Sequence, residues 1–199
     1  VEASSALLLG LVLGLRHAVD PDHVVVVSTL LSREPSVRSA VGLSVLWGLG
    51  HSLAFLGVGL GVVLWGLRVP ESFEVGASMA VGLLLAGVGV WQLAHPPSSR
   101  DGASMRLRPL AVGVVHGLAG SAGIALLTLT TLPTRAAAAV HLVLFAVGTV
   151  LGMIALTGAL ARPMGVVLRS AQGEQWLRWA AAATGVGLGT WIVAAALSR

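Results

Sequence analysis

The sequence predicts an all-α integral membrane protein: six transmembrane helices in one domain, arranged as a 3+3 inverted repeat. Three observations lead there. Of 199 residues, 56% are hydrophobic and only 10% charged, with a mean hydropathy of +0.92, whereas a soluble domain carries roughly 25% charged residues. The apolar residues fall into six runs, each long enough for a bilayer span of about 20 residues. The last three runs echo the first three.

The first span is Ala3–Leu31. Ala3 to Leu15 and Val24 to Leu31 are each too short to cross alone, but together with the residues between them they make one span. The second, Val37–Leu64, follows Ser32-Arg33-Glu34-Pro35, and the third, Phe73–Ala94, follows the connection Gly66 to Ser72. The fourth, Leu110–Leu132, follows the longest connection, His95 to Pro109, where Pro96-Pro97-Ser98-Ser99-Arg100-Asp101-Gly102 reads as a hinge. The fifth, Ala136–Ala161, follows Pro133-Thr134-Arg135, and the sixth, Trp176–Leu197, follows Arg162 to Gln175. All six are rich in Gly, Ala, Leu and Val, which suits close helix packing in lipid. The single membrane domain thus divides into residues 1–94, a loop 95–109, and residues 110–199.

Residue by residue, Gly14-Leu15-Arg16-His17 is echoed by Gly113-Val114-Val115-His116, an offset of 99 positions. Leu46-Trp47-Gly48-Leu49-Gly50-His51 is echoed by Leu144-Phe145-Ala146-Val147-Gly148-Thr149, and Val88-Gly89-Val90-Trp91 by Leu188-Gly189-Thr190-Trp191. Three spans per half put the second half upside down relative to the first, the plan of many transporters.

Charge gives an orientation. The first, third and fifth loops hold Arg33 and Arg38; Arg100, Arg106 and Arg108; and Arg162, Arg169 and Arg178. The second and fourth hold only Arg68 and Arg135. Positive loops stay in the cytoplasm, so both termini are expected outside. The sequence pI of about 11.5 does not indicate nucleic acid, because the arginines are scattered singly between apolar runs. The absence of cysteine removes disulfides and thiolate metal sites, and four scattered methionines make a poor case for Cu(I). No basic segment precedes the first apolar run, so no cleavable signal peptide is expected. The missing initiator Met points to a processed or trimmed start.

The chemistry concentrates in His17-Ala18-Val19-Asp20-Pro21-Asp22-His23, inside the first span. Ionisable groups at membrane depth are expensive and mark an ion or proton path. Imidazole and carboxylate together suit a divalent transition metal. On a regular helix His17, Asp20 and His23 share a face about 120° wide, and Asp22 points away. Pro21 lacks an N–H and disfavours a straight helix, so a break there would return Asp22 to the site and free the His17 carbonyl. Such backbone survives in a membrane only where it is buried or lines a wet cavity. The plainer alternative, an Arg16–Asp20 ion pair, leaves Asp22 and two histidines without a reason. His51 lies mid-span just after Gly48 and Gly50, and His116 is the counterpart of His17, with Ala119 and Ser121 where Asp20 and Asp22 would be. His141 reads as interfacial and His95 as a loop residue.

These residues carry a resemblance. His17, Asp22 and His23 match the His-x4-Asp-His signature of the nickel/cobalt transporter family, and Leu49-Gly50-His51-Ser52 resembles that family's second motif. Val115-His116-Gly117-Leu118-Ala119-Gly120-Ser121-Ala122 resembles its shorter urease-accessory and nickel-transporter-type membrane relatives. The resemblance implies a permease for Ni²⁺ or Co²⁺ in a bacterial inner membrane. His17, Asp22 and His23 would be the core ligands, with Asp20 a ligand or in support. His51 would complete the site and His116 would lie on the same path.

The metal is then substrate, with no resident cofactor, no nucleic acid and no catalysis. Two carboxylates nearly neutralise a divalent ion, and imidazoles disfavour Mg²⁺ and Ca²⁺. No P-loop is present, so energy must come from a gradient, the membrane potential or a partner. The alternatives are an exporter of the same metals, a histidine-box membrane metalloenzyme, and a metallochaperone subunit for urease or hydrogenase assembly.

Overall fold

The computed structural model describes residues 3–34, 36–94, 108–119 and 132–198. The regular elements within them are all α-helices: α1 (Ala3–His17), α2 (Pro21–Arg33), α3 (Val37–Trp65), α4 (Glu71–Ala94), α5 (Arg108–Leu118), α6 (Arg135–Val167) and α7 (Ala171–Leu197). Four of them, α3, α4, α6 and α7, are long and apolar enough to cross a membrane. The 29 residues of α3 reach about 43 Å at 1.5 Å per residue, against a hydrocarbon core of about 30 Å. Helices α1 and α5, with 15 and 11 residues, are apolar but too short to cross alone.

The first span is therefore two helices, with the break that Pro21 leads one to expect. The chain leaves α1 after His17 and re-enters helix at Pro21, for which Asp20 is the N-cap with φ −61° and ψ 148°. Proline is at home in the first helical turn, where no N–H is needed. The turn between is closed by Val19 N–H donating to the Arg16 carbonyl and Asp20 N–H to the His17 carbonyl, each at 3.0 Å. The His17 carbonyl is thus not freed by the break. The second half of the expected fourth span, residues 120–131, lies outside the described residues. The fifth span is longer than expected: α6 continues past Ala161 through Pro163 to Val167, with Arg162 and Pro163 on its exposed side.

Local chemistry sets the other ends. Ser36, Thr134 and Ser170 cap α3, α6 and α7, each side-chain oxygen accepting from the backbone N–H three residues on. Gly66, at φ 65°, ends α3 in the left-handed conformation that glycine adopts without a Cβ clash.

Helices α3 and α6 run antiparallel. Thr157 Oγ1 donates to Ser44 Oγ at 2.8 Å, Ser52 Oγ to the Ala146 carbonyl at 3.2 Å, and Arg135 Nη1 to the Leu64 carbonyl at 3.2 Å. Helix α1 packs parallel to α6: Gly10 meets His141, Gly14 meets Phe145, and Leu15 meets Gly152. Helix α5 packs parallel to α3, with Gly113 against Trp47 and Gly117 against His51. It follows that α1 and α5 approach the centre from opposite ends. Helices α4 and α7 pack together, Gly82 on Gly189 and Gly89 on Ala182.

A Cβ at Gly14 would run into the Phe145 carbonyl oxygen, and one at Gly113 into that of Trp47. In lipid, which is as apolar as leucine, such close backbone approach is what holds helices together. The outward faces are apolar: Leu83, Val90 and Trp191 are exposed, as lipid contact requires and a soluble surface seldom shows.

Candidate metal centre

The α1–α2 break gathers the ionisable residues. His17, the last residue of α1, points Nδ1 at Asp20 Oδ2, 2.8 Å away. With Nδ1–H donating to the carboxylate, Nε2 carries the lone pair, and it lies 3.4 Å from His51 Nε2 of α3. Two nitrogens bound at about 2.0–2.1 Å to one tetrahedral ion are roughly 3.3–3.4 Å apart. The restart of the helix at Pro21 turns Asp22 inward. Its Oδ1 accepts from His23 Nδ1 at 3.2 Å and its Oδ2 from His116 Nε2 of α5 at 2.7 Å.

His23 is the hub. It is wholly buried, and its ring centroid lies 4.6 Å from that of His17, 4.9 Å from His116 and 5.2 Å from His51. Trp47 walls this group, its ring 5.2 Å from His23 and 5.7 Å from His116. Phe145 closes the other side at 5.3 Å from His17. All of these rings except His17 are buried.

Three buried imidazole nitrogens, His23 Nε2, His51 Nδ1 and His116 Nδ1, have no hydrogen-bond partner, nor does Trp47 Nε1. Buried polar atoms are normally paired, and each exception calls for an explanation such as an ion. Imidazoles that give one N–H to a carboxylate and keep the other nitrogen free are oriented as metal-ligating histidines are. The candidate ligand atoms fall into two trios, His17–His23–His51 and Asp22–His23–His116. Within each, one atom per residue lies within 4.8 Å of the others.

All six residues singled out from the sequence, His17, Asp20, Asp22, His23, His51 and His116, thus come together. Asp20 stands apart from both trios: it is half-exposed and bonded to His17, a support that fixes the ring. Its partner is His17 and not Arg16. His116 does not lack a carboxylate, because Asp22 of the first half reaches it. His141, expected at the interface, is buried beside Gly10 of α1. His95 lies outside the described residues. Trp47 and Phe145 were not anticipated as walls of the site. The signal was present for Trp47, which precedes His51 by one helical turn and so shares its face.

The chain is similar to the urease accessory protein UreH of Bacillus sp. (strain TB-90), with 29% identity over 180 residues, covering 82% of this chain and 79% of that protein. No family model matches the chain. No solved structure matches it significantly.

Proposed function

We propose that this chain is a membrane permease for a divalent transition metal, Ni²⁺ or Co²⁺, which it carries through the His/Asp cluster at the α1–α2 break. One observation carries the reading: three buried histidines, each with one unpartnered ring nitrogen, gather with His17 and the Asp22 carboxylate at a broken helix, His23 and His116 on the carboxylate and His51 beside His17. Nitrogen with oxygen is the donor set that favours nickel and cobalt over Mg²⁺. Broken helices at the centre of helical bundles are where transporters hold their ions. The likeness to a urease accessory protein points the same way, since the stretch around His116 resembles the urease-accessory relatives of nickel/cobalt transporters and the other two motifs resemble those transporters themselves.

The two halves act as inverted copies. Helix α1 lies on α6 as α5 lies on α3, and the glycine contacts repeat: Gly14 on Phe145, Gly113 on Trp47. In this reading α1–α2 form the first span, α5 begins the fourth, and the protein sits in a bacterial inner membrane with both termini outside.

The test is metal flux into liposomes holding the purified protein alone. Ni²⁺ should enter, and His23→Ala and Asp22→Asn should each abolish entry while helix content is kept, because losing one ligand leaves the others buried and uncompensated. Wild-type flux in both variants would overturn the assignment. A second reading, a metallochaperone subunit for urease assembly, is favoured by the urease accessory relative. It predicts bound Ni²⁺ with no flux in the same liposomes.

A further inference from the structure

We infer that the cluster is a hand-off pair: two alternative positions for one ion that share His23. This rests on the metal-transport reading above. The first position is His17, His23 and His51, an all-imidazole set; the second is Asp22, His23 and His116, two imidazoles and a carboxylate. Each takes one ring from an incoming half-helix, His17 at the end of α1 and His116 near the end of α5. Those two helices reach the centre from opposite ends, so each position is anchored to a different side of the bundle.

His23 stands between the anchors, with its ring inclined at 74° to that of His17 and 69° to that of His116. Simultaneous occupancy is disfavoured, because both positions draw on one ring and two divalent ions so close repel strongly. An ion that keeps His23 while exchanging His17 and His51 for Asp22 and His116 crosses from one anchor to the other without being stripped of every ligand. Conduction needs such multi-site holding: tight enough to enter, and divided enough to leave.

The experiment uses purified full-length protein and Co²⁺, whose visible spectrum reports ligand type. One ion should bind per chain. His116→Gln should confine it to the all-imidazole position and His51→Gln to the carboxylate position, so the two variants should give different spectra, each still with one ion and each without flux. The double variant should lose the ion. Identical spectra in the two single variants, or two ions per chain, would overturn the hand-off and leave the permease reading standing. Failure of the wild-type protein to bind Co²⁺ or Ni²⁺ would overturn both. Should a variant not fold, cadmium NMR of the wild-type protein decides. One bound Cd²⁺ per chain should give two resonances that merge on warming, and a single resonance indifferent to temperature would overturn the inference.

Discussion

In the metal site proposed above, His17 and Asp20 would let a carboxylate matter to a metal without touching it. By accepting a hydrogen bond from Nδ1–H, Asp20 fixes which nitrogen of His17 faces His51, and such supporting bonds are worth about 10–100-fold in metal affinity. Asp20→Asn should therefore weaken Ni²⁺ binding within that range in calorimetry, while flux persists at saturating metal. Loss equal to that of Asp22→Asn would make Asp20 a ligand. These two roles were only half legible in the sequence. The spacing of His17, Asp22 and His23 marked the candidate ligands, and Pro21 marked the break that turns Asp22 inward. The bond from His116 to Asp22 was not legible, because it joins residues 94 positions apart and depends on how α5 settles against α3. No local pattern encodes that.

Among the helices, most ends fall within two residues of where the sequence puts them, but α7 starts at Ala171, five residues before the expected Trp176. Ser36, Thr134 and Ser170 are hydroxyl caps readable from sequence, and Gly66 a readable stop. The extension of α6 past Pro163 was not, since proline ordinarily ends or kinks a helix. The glycines that seat α1 on α6 and α5 on α3 give the packing a sharp test. Gly14→Leu and Gly113→Leu place a side chain where a carbonyl oxygen already stands. Both should lower the melting temperature in detergent and the yield of monodisperse protein. Gly57→Leu, on α3 with nothing within 4 Å of its added Cβ, should leave both unchanged. Equal effects at all three positions would mean that helix propensity, not close approach, governs these sites.

Taken as a whole, the molecule has an electrical polarity written in its arginines. With eight of them in or beside the odd loops, a cysteine placed at the C-terminus should be labelled only from outside the cell and one near Arg100 only from the cytoplasm. The native chain has no cysteine to confuse the result, and the reverse pattern would invert the orientation. The asymmetry of the centre has a consequence of its own. Both carboxylates come from the first half, and the second half offers Ala119 where the first has Asp20. With both aspartates ionised, the centre carries two negative charges alone and none when it holds one divalent ion. A membrane voltage acts on charge, at about 2.3 kcal/mol per elementary charge per 100 mV, so in the permease proposed above it would grip the empty centre and ignore the laden one. Transient currents in a planar bilayer should then appear without metal and fade as Ni²⁺ saturates the protein, making the resting voltage of the cell a clock on the return stroke alone.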